Sequence, residues 1–530
     1  MPYQPSMPVH LKPLHPVDFL VRSAHVFREK TGVVDGEVRR TYPQVLDRVY
    51  RFAGMLRRLG LRPGDRVAAI APNVSQLLEA HFAVPLAGGV LCALNIRLMP
   101  DEIGYILQHC GASFAVYDGE FEGLLAAAPR NMRLLRFGDG TLEAMDFERE
   151  MASMPLEPIA TELLDEDATI SINYTSGTTG RPKGVMYTYR GAYLNALAEI
   201  FHAGLRPESV YLWTLPMFHC NGWIFPWAVT AAGARHICLR KIDFGRVLEL
   251  IETEGVTHLC AAPTVLVGIA NHPGVKRFSR PLHVTTAGAP PSPRTILQME
   301  ELGARITHVY GLTETYGPFS VCEWKTEWDG HEPHARAKLK SRQGVPFYTS
   351  GVDDLRVVDA AMNDVPADGE TPGEIVMRGN NVMKGYYDDP EATAHAVRGG
   401  FFHSGDVAVM HADGYMEIRD RAKDVIVSGG ENVSTIQVEK IIMEHSAVLE
   451  CAVVAKPDDK WGEVPKAFVT LKPGARATED EIIAFCRDRL PGFKTPKAVE
   501  FCDLPKTSTG KIQKFVLRDR EWAGRKKRVN

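Results

Sequence analysis

The chain holds 530 residues, 45% hydrophobic and 24% charged, ordinary globular proportions that predict three or four soluble units at about 100–200 residues each. Sixty-one Lys and Arg against 65 Asp and Glu leave a formal charge of −4, too balanced for a dedicated nucleic-acid binder. With 46 Gly and 35 Pro, collagen-like and low-complexity chains are excluded as well.

Helix-then-strand units recur along the chain. Thr41 with Gln44 three residues later forms a capping box. Val45, Leu46, Val49, Phe52, Ala53, Leu56 and Leu59 then keep helical spacing, and Gly60 with Pro63-Gly64 ends the run before a buried strand over 67–71. The same alternation over 102–117, 244–262 and 293–310 predicts an α/β fold with largely parallel sheets. Past residue 345, short strands are expected at 354–358, 373–378 and 415–418 between Gly- and Asp-rich turns, a small β-rich subdomain. The charged stretch Asp-Arg-Ala-Lys-Asp over 420–424 marks a boundary. Beyond it an α+β module is expected, with helices at 434–444 and 479–490, strands at 450–455, 467–471 and Ala498–Phe501, and a turn-rich basic end.

Nine cysteines, none spaced C-x-x-C, fit reduced buried thiols better than a disulfide framework or a zinc site. Residues 1–15 lack an apolar signal core, and no 18 apolar residues run uninterrupted. A cytoplasmic protein without a membrane span is expected. The Arg-Lys-Lys-Arg at 525–528 reads as a solvated terminus rather than a nucleic-acid or lipid contact.

The segment 174–184, Tyr-Thr-Ser-Gly-Thr-Thr-Gly-Arg-Pro-Lys-Gly, follows a strand expected at Thr169–Tyr174. Its hydroxyls and exposed backbone N–H groups suit phosphate oxygens, and Lys183 adds a mobile charge. Pro182-Lys183-Gly184 breaks the Walker A pattern. By composition alone it would also serve as an ordinary surface loop. Residues 310–315, Tyr-Gly-Leu-Thr-Glu-Thr, follow a strand over 305–309, where an acid and hydroxyls can hold Mg²⁺ and phosphate and a Tyr can stack on a base. Residues 402–406 place Asp406 after a tight turn, as a ribose acceptor or as a turn-stabilising Asp. Arg421 and Lys511, taken singly, read as surface charges.

Six segments in one order, 174–184, 310–315, 404–406, 420–424, 428–433 and 506–511, together resemble the adenylate-forming superfamily of acyl-CoA synthetases, luciferases and peptide-synthetase adenylation domains over nearly the whole chain. The resemblance implies a large N-terminal AMP-binding domain (1–420) of layered α/β subdomains plus the β-rich subdomain. It further implies a hinge (421–424) and a mobile C-terminal α+β domain (425–530). The implied reaction activates a carboxylic acid with Mg-ATP to acyl-AMP and pyrophosphate, after which the coenzyme A thiol displaces AMP. Thr175, Ser176, Gly177, Thr178, Thr179 and Lys183 would cradle the β- and γ-phosphates. Thr313 would contact phosphate, and Glu314 with Thr178 would hold the metal. Tyr310 and Gly311 would meet adenine beside Gly288, Ala289 and Pro290, while Asp406 and Arg421 hold the ribose. Lys511 would bridge carboxylate and phosphate oxygens, Lys423 would sit at the hinge, and Gly429 and Gly430 would line the pantetheine tunnel.

Residues 213–223 resemble the acyl-pocket segment, which implies that His219 and Trp223 flank the acyl and thiol entry in a pocket shared with Gly288, while Trp213 and Trp227 read as core. No charge lies between Trp213 and Thr230, which favours an uncharged acyl chain. Residues 322–325 and 338–344 look like short- and medium-chain acyl-activating enzymes, among them methylmercaptopropionate-CoA ligases. Unlike peroxisomal plant relatives, the chain ends Arg-Val-Asn rather than Ser-Lys-Leu. The leading expectation is an acyl-CoA ligase for a short- or medium-chain fatty or small arylalkyl acid, with an amide-forming ligase using an amine acceptor as the alternative. A kinase or motor is disfavoured by the missing Walker A, and a silent sensor by the retained Lys183, Lys511, Glu314 and Asp406. The expected partners are the acid, ATP and coenzyme A, with no nucleic acid and no membrane; a homodimer is left open.

Overall fold

The computed structural model describes residues 10–161, 165–175, 181–421, 423–507 and 510–523. Two large sheets dominate the N-terminal domain. One aligns Arg66–Ile70, Val90–Ala93, Ala112–Asp118, Arg133–Phe137 and Thr169–Tyr174 in parallel and adds Gly184–Thr188 antiparallel. The other aligns Thr31–Asp35, Arg235–Ile237, Val210–Leu212, His258–Ala261, Leu282–Thr286 and Ala304–Leu312 in parallel, with Gly317–Val321 antiparallel beyond. The mostly parallel α/β layering expected from the helix–strand alternation is therefore present.

Both sheets are buried on both faces, which is why their strands read as apolar runs rather than alternating ones. In Arg66–Ile70, Val67 and Ala69 join a core shared with the helices Tyr42–Arg58, Ser75–Ala87, Tyr189–Ala203 and Phe225–Ala231 and with the second sheet. Ala68 and Ile70 point the other way, onto Pro100–His109. The far face of the second sheet is covered by Phe244–Thr253, Pro263–Ala270 and Pro293–Glu301. Each large apolar side chain buried this way contributes about 1.5–3 kcal/mol.

An antiparallel sheet of Leu355–Val358, Gly373–Met377, Phe401–Met410 and Met416–Arg421 forms the smaller β-rich unit. Here one expectation fails. Residues 402–406 are not a tight turn but part of the ten-residue strand Phe401–Met410. Gly405, at φ +71°, kinks that strand, and the register slips between Val407 and Ala408. The Gly-Asp pair that reads as a turn is a bulge, because the apolar alternation resumes on its far side.

The C-terminal domain has its own core of Ile426, Val438, Val453, Val469 and Ile482. Its long hairpin, Val448–Asp458 with Gly462–Leu471, runs past the expected strand ends, the pairing continuing to Asp458 opposite Gly462. The expected turn-rich end contains a helix, Lys514–Glu521, whose Leu517 packs on Val454 and Phe468. All nine cysteines are unbridged and eight are buried. Among the described residues, no helix is long and apolar enough to cross a membrane.

The helix Tyr42–Arg58 is capped as expected: the Thr41 N–H donates to Gln44 Oε1 at 2.8 Å and the Gln44 N–H to Thr41 Oγ1 at 3.5 Å. Thr41→Ala removes the second bond and should lower stability by about 1 kcal/mol. A urea titration reads this as a lower midpoint, and an unmoved midpoint would show the cap to be inert.

Candidate active site

The loop at 174–184 springs from two locked strand ends. Tyr174 pairs with Gly184 across the sheet, and the Thr175 N–H donates to the Lys183 carbonyl at 3.0 Å. The Tyr174 hydroxyl shares a 2.7 Å hydrogen bond with His109 Nδ1. A Cβ on Gly184 would stand 2.8 Å from Ile172 and 3.1 Å from the Tyr174 ring, so only glycine closes the loop there. Ser176, Gly177, Thr178 and Thr179 lie outside the described residues. Lys183 Nζ sits 4.9 Å from the centre of the Tyr386 ring, whose hydroxyl donates to Glu314 Oε1 at 2.8 Å. Tyr386 carries no motif signal. It arrives through the short strand Gly385–Tyr386, which pairs with Val185 and Met186.

Glu314 is set by a hairpin that tolerates no side chain at Gly311, where a Cβ would stand 1.7 Å from the Gly317 carbonyl oxygen. The chain then turns through Thr313–Thr315, and Tyr316, at φ +64°, stacks on Tyr187 at 3.9 Å. The Tyr187 hydroxyl donates to the Thr313 carbonyl at 2.6 Å, tying this turn to the strand behind the phosphate loop. Burial raises the Glu314 carboxyl above its ordinary range, opposed by the Tyr386 hydroxyl and by the charges of Arg421 and Lys183. Among the described residues no Lys or Arg forms an ion pair with it. A half-buried carboxylate without a paired cation suits Mg²⁺, which commonly takes one or two protein carboxylates plus substrate phosphates. No cluster of three acidic, His or Cys ligands occurs among the described residues.

Asp406 gathers the second half of the site. Its Oδ2 accepts from the Tyr310 hydroxyl at 2.7 Å, and its Oδ1 lies 3.4 Å from Arg421 Nε. Asp406 and Arg421 face each other in the register of adjacent strands, so the pair is fixed by backbone pairing. Lys511 reaches this point from the C-terminal domain. The Thr507 N–H donates to the Lys511 carbonyl at 2.7 Å, and the Lys511 N–H to Thr507 Oγ1 at 3.1 Å. Gly510, at φ +84°, accepts from Thr264 Oγ1 at 3.0 Å, and a Cβ there would stand 2.4 Å from that oxygen.

The Lys511 ammonium is pushed down to about 7, first by burial and then by the Arg421 charge, while Asp406 and Asp424 pull it back. Burial, then the Lys511 charge, push His219 down to about 4, leaving a neutral imidazole at pH 7. Cys220 Sγ lies 3.7 Å from His219 Nε2 and 3.5 Å from Thr313 Oγ1. Burial drives that thiol up to about 12, so it is no nucleophile at neutral pH.

His219 and Trp223 stand on a left-handed turn. Cys220, Asn221, Gly222, Trp223 and Ile224 have φ of 50, 48, 57, 52 and 69°. Such a conformation costs about 1–2 kcal/mol per non-glycine residue and persists only where the surroundings over-determine it. Here the Asn221 N–H donates to Asn173 Oδ1 at 3.2 Å, and Asn221 Nδ2 to Ser171 Oγ at 2.6 Å. Asn73 fixes the approach by donating to the Trp213 and Leu215 carbonyls at 2.8 and 2.9 Å and accepting from the Met217 N–H at 2.7 Å. The turn lays Trp223 against Gly317, where a Cβ would meet the indole at 3.0 Å. Gly288, at φ +89°, opens onto free space, and it and Ala289 are exposed beyond the strand Leu282–Thr286. Trp213 and Trp227 are core residues, bonded through their indole N–H groups to His236 and to the His81 carbonyl.

Gly429 and Gly430 are not brought to this cluster. They turn the hairpin between Ile426–Ser428 and Glu431–Val433, where a Cβ on Gly429 would stand 2.6 Å from the Trp461 ring. Lys423 and Asp424 are held by Arg518, which donates to the Lys423 carbonyl at 3.4 Å and to the Asp424 carboxylate. Elsewhere the domains meet through polar contacts. Arg294 donates to the Met443 and His445 carbonyls at 3.3 and 2.9 Å, Lys440 pairs with Glu417 at 2.9 Å, and the Thr435 N–H donates to Asp420 at 2.6 Å.

Comparison with known proteins adds to this geometry. A family described as "AMP-binding enzyme" matches residues 20–387, and its C-terminal domain family matches residues 437–511. A 4-hydroxybutyrate–CoA ligase of Metallosphaera sedula is 46% identical over 522 residues, covering 96% of this chain and 94% of its own. A peroxisomal acetate/butyrate–CoA ligase of Arabidopsis thaliana is 44% identical over 549 residues, covering 97% and 95%. The crystal structure of an anthranilate CoA ligase in complex with anthranoyl-AMP superposes with a TM-score of 0.86 at 26% identity, covering 97% of this chain and 99% of that one.

A lysine titrating near 7 should be reactive where surface lysines are not. Competitive labelling with acetic anhydride across pH 5–10 is expected to give Lys511 a midpoint of about 7. Because the folded state holds this proton less tightly than the unfolded chain, the group's contribution to stability rises as pH climbs from about 7 towards 10.5. A labelling midpoint at the usual lysine value would contradict the enclosed, cation-flanked placement.

Proposed function

The chain belongs to the AMP-binding enzyme family, and on that footing we propose that it is an ATP-dependent acyl-CoA ligase that makes an acyl-AMP with release of pyrophosphate and then an acyl-CoA thioester. The observation that carries this reading is the position of Lys511, delivered from a second domain to an Asp406–Tyr310–Arg421 cluster beside His219.

The chemistry needs cations more than bases. A carboxylate attacking the α-phosphorus of ATP brings two anions together, and five-coordinate phosphorus gathers further charge on its oxygens. Lys511 and Arg421 supply positive charge at one end of the site and Lys183 at the other, already oriented when the substrates arrive. Bound nucleotide would raise the Lys511 pKa again, so the lysine works as an ammonium. Asp406, held by Tyr310 and Arg421, offers carboxylate oxygens to ribose hydroxyls, and Glu314 with Thr178 would hold Mg²⁺, which would neutralise phosphate charge. Neutral His219 approaches the acid without competing for its charge.

Thioester formation requires a thiol to reach the same carbonyl. Gly429 and Gly430 lie in the C-terminal domain, away from the cluster, so their proposed place beside pantetheine requires that domain to turn about residues 421–424. The short acids and the coenzyme A named for the two relatives support a small acyl group and a CoA acceptor here. Trp223, wedged against Gly317, adds a steric reason, because an indole at that position shortens the space beyond His219.

Lys511→Ala is expected to lower ATP–pyrophosphate exchange by at least about 100-fold while sparing thioester formation from supplied acyl-AMP. Equal loss of both half-reactions would contradict the assigned role. Trp223→Ala should move the kcat/KM optimum across a series of straight-chain acids towards longer chains. An unmoved optimum would remove the indole from the pocket wall, and turnover with an amine as fast as with CoA would redirect the reading to amide formation.

A further inference from the structure

The inner face of the helix Tyr189–Ala203 carries polar atoms that the fold does not satisfy. Asn195 and Glu199 are completely buried and stand four residues apart, hence on one face. Neither amide atom of Asn195 and neither oxygen of Glu199 has a hydrogen-bond partner. Across from them lies Tyr211, whose hydroxyl abuts the Cys260 thiol without a well-formed hydrogen bond. The Glu199 charge is felt at both Tyr211 and Cys260, which places the three side chains together. An unpaired buried polar group costs about 1–3 kcal/mol, so a cluster of five orphaned atoms calls for a partner from outside the fold.

The cluster lies one aromatic layer behind the turn that carries Trp223. The Tyr211 ring packs 4.9 Å from Trp213 and 5.0 Å from Phe225, and Trp213 in turn covers Gly222, where a Cβ would stand 2.7 Å from the indole. Thr285, the register partner of Cys260, leads along its strand to Gly288 at the edge of the site.

Resting on the ligase reading, we propose that Asn195, Glu199 and Tyr211 form the far wall of the acyl pocket and select a short acid whose chain ends in a neutral polar group, a terminal hydroxyl. A hydroxyl donates once and accepts twice, and the three side chains offer both capacities within one locus. Burial without a partner raises the Glu199 carboxyl well above its ordinary range. Burial thus favours its protonated form, which can donate as well as accept, over a charged form that would attract an ammonium. A pocket built around such a hydroxyl rejects the plain alkyl analogue, which leaves the same atoms unpaired.

The test compares kcat/KM for 4-hydroxybutyrate, butyrate and 4-aminobutyrate in CoA thioester formation by the full chain. The unmodified enzyme is expected to favour 4-hydroxybutyrate over butyrate by at least about 10-fold, and Glu199→Met to lower that ratio by a similar factor. Should Glu199→Met lose its cooperative thermal transition, Tyr211→Phe and Asn195→Leu read the same ratio with smaller changes of shape. A preference for butyrate or 4-aminobutyrate in the unmodified enzyme, or a ratio unmoved by Tyr211→Phe and Asn195→Leu, would overturn the selection of a hydroxyl while leaving the ligase reading intact. Absence of thioester with every acid, together with absence of pyrophosphate exchange, would overturn the ligase reading and this inference with it.

Discussion

Asp406 is the anion on which the site turns. Tyr310 comes from the second large sheet, Arg421 from the β-rich unit and Lys511 from the C-terminal domain, and each brings a donor or a positive charge to the neighbourhood of one carboxylate. Two cations enclosed near each other repel, and in a partly dry setting that repulsion is weakly screened. Burial first and then the Arg421 charge loosen the lysine proton against the pull of Asp406 and Asp424, while the strand register keeps the guanidinium in place. On the proposed reading, a polyanionic nucleotide would relieve the repulsion between these cations, even though the chain as a whole is slightly acidic.

Backbone geometry sets where these charges sit. Gly184 and Gly311 occupy positions where a single added carbon would collide with a neighbouring strand or ring. The left-handed turn at 220–224 shows the opposite strategy: residues with side chains hold a costly conformation because buried amides leave the chain no better alternative. Asn73, Asn173 and Asn221 are thus part of the site without touching a reacting atom. Their work is to hold His219 and Trp223 where the backbone alone would not.

Much of this was legible in the amino-acid order. The layered helices and strands follow from apolar spacing, and the residues of the phosphate loop, the 310–315 turn, Asp406, Arg421 and Lys511 stand in short motifs whose chemistry is local. What escaped depends on contacts distant in sequence. Tyr386 and Tyr187 reach Glu314 and Thr313 through strand pairing and carry no pattern of their own. The buried asparagines look like loop residues until their partners, 48 to 144 positions away, are known. Gly405 reads as a turn because a bulge and a turn use the same residue type. The helix Lys514–Glu521 hides because Leu517 is its one buried apolar side chain and its other anchors, Lys514 on Glu439 and Arg518 on Asp424, are polar, which leaves too sparse an apolar stripe to show periodicity.

The interface that delivers Lys511 has a further consequence. Between the two bodies the contacts among the described residues include a guanidinium on two carbonyls, a lysine–glutamate pair, a threonine on a glycine carbonyl, the Ser434 hydroxyl on the Arg419 carbonyl and the Thr435 N–H and hydroxyl on Asp420, with Ile436 an apolar side chain that packs on the larger core. Water can take over the more exposed of these bonds at little net loss, although those between Thr435 and Asp420 are buried. Two separate cores meeting across a mainly polar seam can come apart with little of either exposed. The joint is cheap to undo, which suits the proposed ligase cycle, in which Lys511 would leave the carbonyl before each thiol attack.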